Sequence, residues 1–199
     1  MDKETLLHNI ARTAYNIGFG GKKHFVTYDI YRVFPRLISI LVTIIGVYQL
    51  SIWYKSVDNE GVKDFISISL IAVGIIGLVL DLLGDNKQEY NIVGKKMLRY
   101  FNELSDMYFE IKNQQGPINN WESYERRRRE IIDDVDQRSL SNQAIFTHWW
   151  THIAFFKTMQ SNWVIKELKL GFKDKYPIFH IETLFFVIIA VSCILFFLL

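Results

Sequence analysis

Four groups of residues in this sequence have types and spacings that could do chemistry. His148 and His152 stand four apart, the spacing at which one helix face presents two imidazoles to a zinc ion. Trp149 follows the first histidine where a zinc protease would carry its glutamate, and no third ligand lies nearby, so no metal is expected. The stretch Gly18-Phe19-Gly20-Gly21 could cradle a phosphate on its backbone amides. It lacks the lysine-serine ending and the preceding strand of a nucleotide loop, and is read instead as a flexible joint between two helices.

The third group is Arg126, Arg127, Arg128 and Arg129, which could grip phosphate groups or anionic lipid. Yet Glu122–Arg126, Glu125–Arg129, Arg126–Glu130 and Arg129–Asp133 are each four apart, the pattern of a solvated helix that pairs its own charges. Consecutive residues also fan around a helix, so the four arginines cannot share one face. The fourth group is weakly polar and set in apolar surroundings. Ser67, Gly74 and Asp81 are seven apart, hence nearly aligned on a helix, with Gly77 and Gly84 beside them. Ser39, Thr43 and Gly46 form a matching stripe. Small residues let helices approach closely, and a carboxylate at the edge of an apolar segment prefers water or a partner. The stripes are read as the helix–helix contact of a hairpin, or as the lining of a conduit built from several hairpins, with Asp81 at its cytosolic mouth. No nucleophile elbow, phosphate loop or paired cysteines accompany them, so neither an enzyme nor a cofactor is expected.

The elements that position these residues follow from the distribution of apolar side chains. Half of the 199 residues are hydrophobic and 22% are charged, an ordinary average that hides three apolar blocks. The first runs from Leu37 to Tyr54 without a charge, and the second from Phe65 to Leu83 with only Asp81. Each is long enough to cross a hydrocarbon core of roughly 30 Å. The short polar turn from Lys55 to Asp64 makes them a helical hairpin, with Pro35 at the start of the first span and Trp53 and Tyr54 at its end. The third block, Leu184 to Leu199, extends with the residues after Pro177 to a helix of about 22 residues and is expected to be a C-terminal span.

Charge gives the orientation. Lys22, Lys23, Arg32 and Arg36 precede the first span, and Lys87, Lys95, Lys96 and Arg99 follow the second, whereas the turn carries Asp58, Glu60 and Asp64. The positive flanks are therefore expected in the cytosol, and the C-terminus outside. A net charge of +2 makes no case for nucleic-acid binding, and the single cysteine, Cys193, cannot form an intrachain disulfide.

Helical spacing recurs in Leu6, Leu7, Ile10, Ala14 and Ile17, placing an amphipathic helix on the membrane or on later helices. It recurs again from Tyr90 to Tyr108, a long helix expected to continue out of the second span and to end near Gly116-Pro117. A charged helix and an aromatic-rich segment containing Trp149, Trp150, Phe155, Phe156 and Trp163 follow. The fold class expected is an all-α membrane protein: cytosolic N-terminal helices over 1–36, a hairpin over 37–83 (spans 37–54 and 65–83), a cytosolic helical domain over 84–177 and a third transmembrane helix over 178–199.

The run YNIGFGGKKHF before the first span, the close hairpin, the helix QEYNIVGKKMLRYFNELSDMYFEI after it and the charged ESYERRRREIIDDVDQ together resemble the SLATT family, two-transmembrane effector domains associated with bacterial nucleotide-signalling conflict systems. The resemblance implies an antiphage or abortive-infection effector in the bacterial inner membrane. It implies a homo-oligomer that breaches the lipid bilayer when triggered by a sensor protein, a nucleotidyltransferase or reverse transcriptase, or by a nucleotide product. The alternative is a non-conducting anchor for cytosolic partners. The C-terminal block departs from the two-span layout of that family.

Overall fold

The structure is a computed structural model that describes residues 2–116, 120–176 and 183. The third span expected over 178–199 lies outside the described residues, Thr183 apart. The helices of residues 2–176 follow in order: α1 (Lys3–Gln49), α2 (Ile52–Lys55), α3 (Glu60–Leu83), α4 (Lys87–Asn113), α5 (Trp121–Arg138), α6 (Thr147–Thr158), α7 (Asn162–Glu167) and α8 (Phe172–Lys175). No strand occurs among the described residues. The chain divides into two compact units, one of residues 1–26 with 91–199 and one of residues 27–90.

The first unit has its own hydrophobic core. Leu6, Ile10, Ala14 and Ile17 recur on one face of α1 and are buried against Met97, Phe101, Leu104, Tyr108 and Ile111 on one face of α4. Ile131 of α5, Phe155 of α6 and Val164 of α7 complete the cluster. Full burial of each large aliphatic or aromatic side chain stabilises by roughly 1.5–3 kcal/mol, which is how helices of modest intrinsic propensity are held. The N-terminal amphipathic helix therefore rests on the later helices. Aromatic rings fill the middle: Tyr15 meets Phe155 edge-on at 5.4 Å, and Trp163 lies 4.6 Å from Tyr108. Tyr108 donates to Glu167 Oε2 at 2.6 Å, fixing α7 against α4.

The glycine run does not break the helix. α1 passes through Gly18–Gly21 without interruption, which corrects the expected joint. These glycines are sites of close approach. A Cβ on Gly18 would lie 2.6 Å from Phe101 Cδ2 and 3.0 Å from Phe155 Cε2, and one on Gly21 would lie 3.0 Å from Met97 Cβ. Gly94 answers from α4, where a Cβ would meet the Gly21 carbonyl oxygen at 3.2 Å. Helix propensity disfavours three glycines in four residues by about 1 kcal/mol each, and tertiary packing overrides it.

The second unit contains the hairpin. α1 ends at Gln49, short of the expected Tyr54, and the chain turns into the separate α2. The Ser51 side chain caps α2 by accepting from the Tyr54 N–H, and Asn59 caps α3 by accepting from the Val62 N–H. Pro35 lies inside α1 rather than at a helix start. The helix tolerates the lost backbone bond because packing fixes it on both sides, through Tyr31 against Gly84 and Ile38 against Gly77. The helix after the second span is also not continuous with it: α3 stops at Leu83, the turn 84–86 intervenes, and α4 begins at Lys87.

Adding a methyl at Gly18 drives it into a buried ring. Gly18→Ala is expected to destabilise by about 1–3 kcal/mol. Gly20→Ala, whose Cβ meets the end of the Met97 side chain at an ordinary 3.5 Å, should be neutral or stabilise by about 0.5–1 kcal/mol. Thermal unfolding of the detergent-solubilised chain followed by circular dichroism checks the contrast.

Candidate functional site

Among the described residues two helices, α1 and α3, are long and apolar enough to cross a membrane, and of their most apolar stretches only 11% and 6% is buried within the chain. A core helix of a soluble protein would be mostly buried. Here Leu37, Ile40, Ile44 and Val47 on α1 and Phe65, Ile68, Ile71, Ile75 and Leu78 on α3 stand exposed. A surface of this size and apolarity calls for lipid or another protein to cover it.

The hairpin is held by small notches and a few hydrogen bonds in antiparallel register. A Cβ on Gly84 would lie 2.8 Å from Tyr31 Cβ, and one on Gly77 would lie 2.7 Å from Ile38 Cγ2. Further along, Gln49 Nε2 donates to Ser67 Oγ at 3.3 Å and the Tyr54 hydroxyl donates to the Lys63 carbonyl at 3.1 Å. Each advance along α1 is matched by a near-equal retreat along α3, so side chains seven apart on one helix meet notches seven apart on the other.

The stripe residues divide between two roles. Ser39, Thr43, Gly74, Gly77 and Asp81 line one groove of about 730 Å³ on the hairpin, together with Arg36 and the aliphatic side chains Ile38, Val42 and Leu78. Gly77 is at once groove lining and helix contact. Gly46 and Ser67 are outside the groove: Ser67 joins the helix contact through Gln49, and a Cβ on Gly46 would meet nothing within 4 Å. Gly74 is equally open, so the contact between α1 and α3 does not require it to be glycine. The Thr43 hydroxyl donates to the Ser39 carbonyl at 2.8 Å, the usual way a threonine satisfies itself on a helix in apolar surroundings. Asp81, two-thirds exposed, pairs with Lys87 Nζ at 3.7 Å.

The arginines are tied elsewhere, within the first unit. Arg127 forks onto Glu103 of α4 at 2.5 and 3.1 Å and also reaches Glu130. Arg128 forks onto Glu125 at 2.6 and 2.8 Å and donates to Thr13 of α1 at 2.9 Å. The Arg128 hydrogen bonds, above all, hold the Glu125 carboxyl below the usual carboxylate range. Of the four expected pairs within α5, only Glu125–Arg129 is formed among the described residues. Arg126 lines a shallow groove beside Glu122, Glu130 and Asp133 and has no ion-pair partner among them. Two of the four cations are thus structural ties between helices, and acids surround the other two.

His148 and His152 do meet, with their Nε2 atoms 3.2 Å apart, and His152 Nδ1 faces the Lys175 carbonyl at 3.1 Å. Among the described residues no group of three His, Cys, Asp or Glu could hold a metal.

A family model described as SMODS and SLOG-associating 2TM effector domain 6 (SLATT) matches residues 1–184. The chain belongs to this family. No curated protein and no solved structure matches it. The family's description together with the membrane-length helices α1 and α3 among the described residues makes this SLATT chain a membrane protein.

Sequence reasoning missed Arg36 as a groove residue, because it counted only as flanking charge. Gln49 was missed as well, although a lone amide in an apolar run is a signal that it bonds to a neighbouring helix. Glu103 and Thr13 gave no local signal at all, since their arginine partners are 24 and 115 residues away.

Two tests follow from this geometry. Gly77→Leu must push α1 and α3 apart, whereas Gly74→Leu has room; limited proteolysis in detergent should cut the first variant faster at the turn and leave the second as wild type. In the first unit, Asp134 accepts from Lys96 at 2.7 Å, Arg138 at 2.9 Å and the Tyr100 hydroxyl at 3.0 Å. These contacts, Lys96 first, hold its carboxyl down to about 2. A depressed carboxylate stabilises above its ordinary value and loses that contribution as pH falls. Between about pH 4 and 2, wild type should therefore lose stability that Asp134→Asn has already lost, measured as the gap between their urea midpoints.

Proposed function

We propose that this chain is a membrane effector of a bacterial antiphage or abortive-infection system. In this reading it acts without catalysis, by oligomerising in the inner membrane to form a pore or disrupt the bilayer when a partner sensor or a nucleotide signal triggers it. The observation that carries the reading is the hairpin groove. It gathers two hydroxyls, an open glycine and two opposite charges along one side of a membrane-length helix pair. Membership of a family of two-transmembrane effectors supports the same reading.

The orientation follows from charge. Lys22, Lys23, Arg32 and Arg36 before the first span and Lys87, Lys95 and Lys96 after the second favour a cytosolic helical unit, with the acidic turn outside. One observation favours the alternative of a non-conducting anchor for cytosolic partners. The helical unit has its own core and ion-paired surface, so it can be a docking platform in its own right.

The test is membrane potential and dye uptake in cells that express the chain with its trigger. Depolarisation together with growth arrest is expected. Gly74→Leu or Asp81→Ala should reduce leakage by roughly tenfold or more if the groove faces the leak, the scale of losing one well-placed interaction of about 1.4 kcal/mol. Growth arrest with intact potential would sink the pore reading and leave the anchor.

A further inference from the structure

His24 occupies an unusual place in the first unit. It is buried on α1, its Nδ1 lies 2.8 Å from the Gly20 carbonyl oxygen, and its Nε2 lies 3.2 Å from the backbone N–H of Leu140. Leu140 belongs to the connector of residues 139–146 between α5 and α6. These two groups belong to the backbone, so their roles cannot be exchanged: a carbonyl only accepts and an amide N–H only donates. One protonation state satisfies both, the neutral ring with its proton on Nδ1.

We propose that His24 is a proton-operated latch, which ties α1 to the α5–α6 connector when neutral and releases the connector when protonated. A proton added at Nε2 points at the Leu140 N–H, donor against donor, and that hydrogen bond is lost. Protons and water have a route, because His24 lines a cleft of about 310 Å³ with Asn16, Asp136 and Ser139. The charged groups that bear on the ring are few. Lys23 on α1 acts on it, Asp136 on α5 lines the same cleft, and the other walls are Thr13, Ile17, Met97, Ile132 and Val135, none of which titrates. Burial, first, and Lys23 push the His24 imidazole below its ordinary range, which outweighs the Gly20 carbonyl.

The sign is fixed by that direction. With the folded value below the unfolded value of about 6.5, the latch contributes its full stability above that pH and loses it as pH falls further. The connector is built to use the release. Leu140 is held at its other end by Gln143, which donates to its carbonyl at 2.6 Å, and Phe146, at the start of α6, sits in the left-handed region at φ 65°. A non-glycine residue there stores strain that the surroundings must hold in place. This inference goes beyond the membrane reading and does not rest on it.

Hydrogen exchange of the full-length chain in nanodiscs tests the latch, at about pH 7.5 and about pH 5 with intrinsic rates corrected. Amides of residues 139–147 should lose protection by roughly tenfold at the lower pH in wild type and show no such step in His24→Gln. An unchanged wild type overturns the proposal. So does a step of equal size in H24Q, which would assign it to another group. Nitrogen NMR of the wild-type imidazoles stands if the variant misfolds: a neutral Nδ1-protonated His24 titrating below about 6.5 is expected, and the opposite tautomer or a higher value overturns the latch.

Discussion

A helix of 47 residues stays single only where nothing along it gains by bending, and the approach of α1 to α4 supplies that condition in the first unit. At Gly18 a methyl would collide with the Phe101 ring, and at Gly21 and Gly94 it would press on Met97 Cβ and on the Gly21 carbonyl. The space that the missing side chains leave is filled from the partner by Phe101 and Met97. Leu104, Tyr108 and Ile111 share one core with Ile10, Leu6 and their neighbours. The other helices hang on this pair. α5 is tied to it from both sides, by Arg127 to Glu103 on α4 and by Arg128 to Thr13 on α1. α6 and α7 add Phe155 and Trp163 to the aromatic faces of Phe101 and Tyr108.

The hairpin uses the same notch-and-knob device under a different driving force. In water, close approach is rewarded because it removes apolar surface from solvent. Between helices in lipid that reward vanishes, and contact must come from van der Waals fit and a few hydrogen bonds. Gly84 and Gly77 supply the fit, and Gln49 with Ser67 supplies a bond. The outer aliphatic side chains need no protein partner in such a solvent, which is why so much of α1 and α3 is left uncovered.

Much of this was legible in the sequence, for stated reasons. An apolar run with no charge can hardly be anything but a spanning or fully buried helix, and spacings of three and four identified the faces of α1 and α4 that are buried. What failed was the treatment of glycine and proline as punctuation. Gly18–Gly21 and Pro35 are weak points only for a helix without support, and here each is flanked by packing contacts whose partners lie far along the chain. The arginine partners were hidden for the same reason: four-residue spacing counts neighbours on one helix, and cannot weigh a better-placed Glu103 on another. The stripe of small residues was visible as a stripe, but its division was not. Whether a small residue is a notch or an opening depends on what faces it, as Gly77 and Gly74 demonstrate three residues apart.

That division bears on why the proposed activity needs more than one copy. A two-helix hairpin has no inside. Its groove is bounded by α1 and α3 on two sides and is open on the third, so any solute moving along it in a lone copy would meet lipid tails. An ion there would keep its charge in hydrocarbon, at a cost of at least several kcal/mol. The hydroxyls of Ser39 and Thr43 offset little of that, because the Thr43 donor is already committed to its own helix. Asp81 offsets part of the same penalty through its pair with Lys87. A path for water therefore requires further walls, and Gly74 is open on the side from which they would have to come.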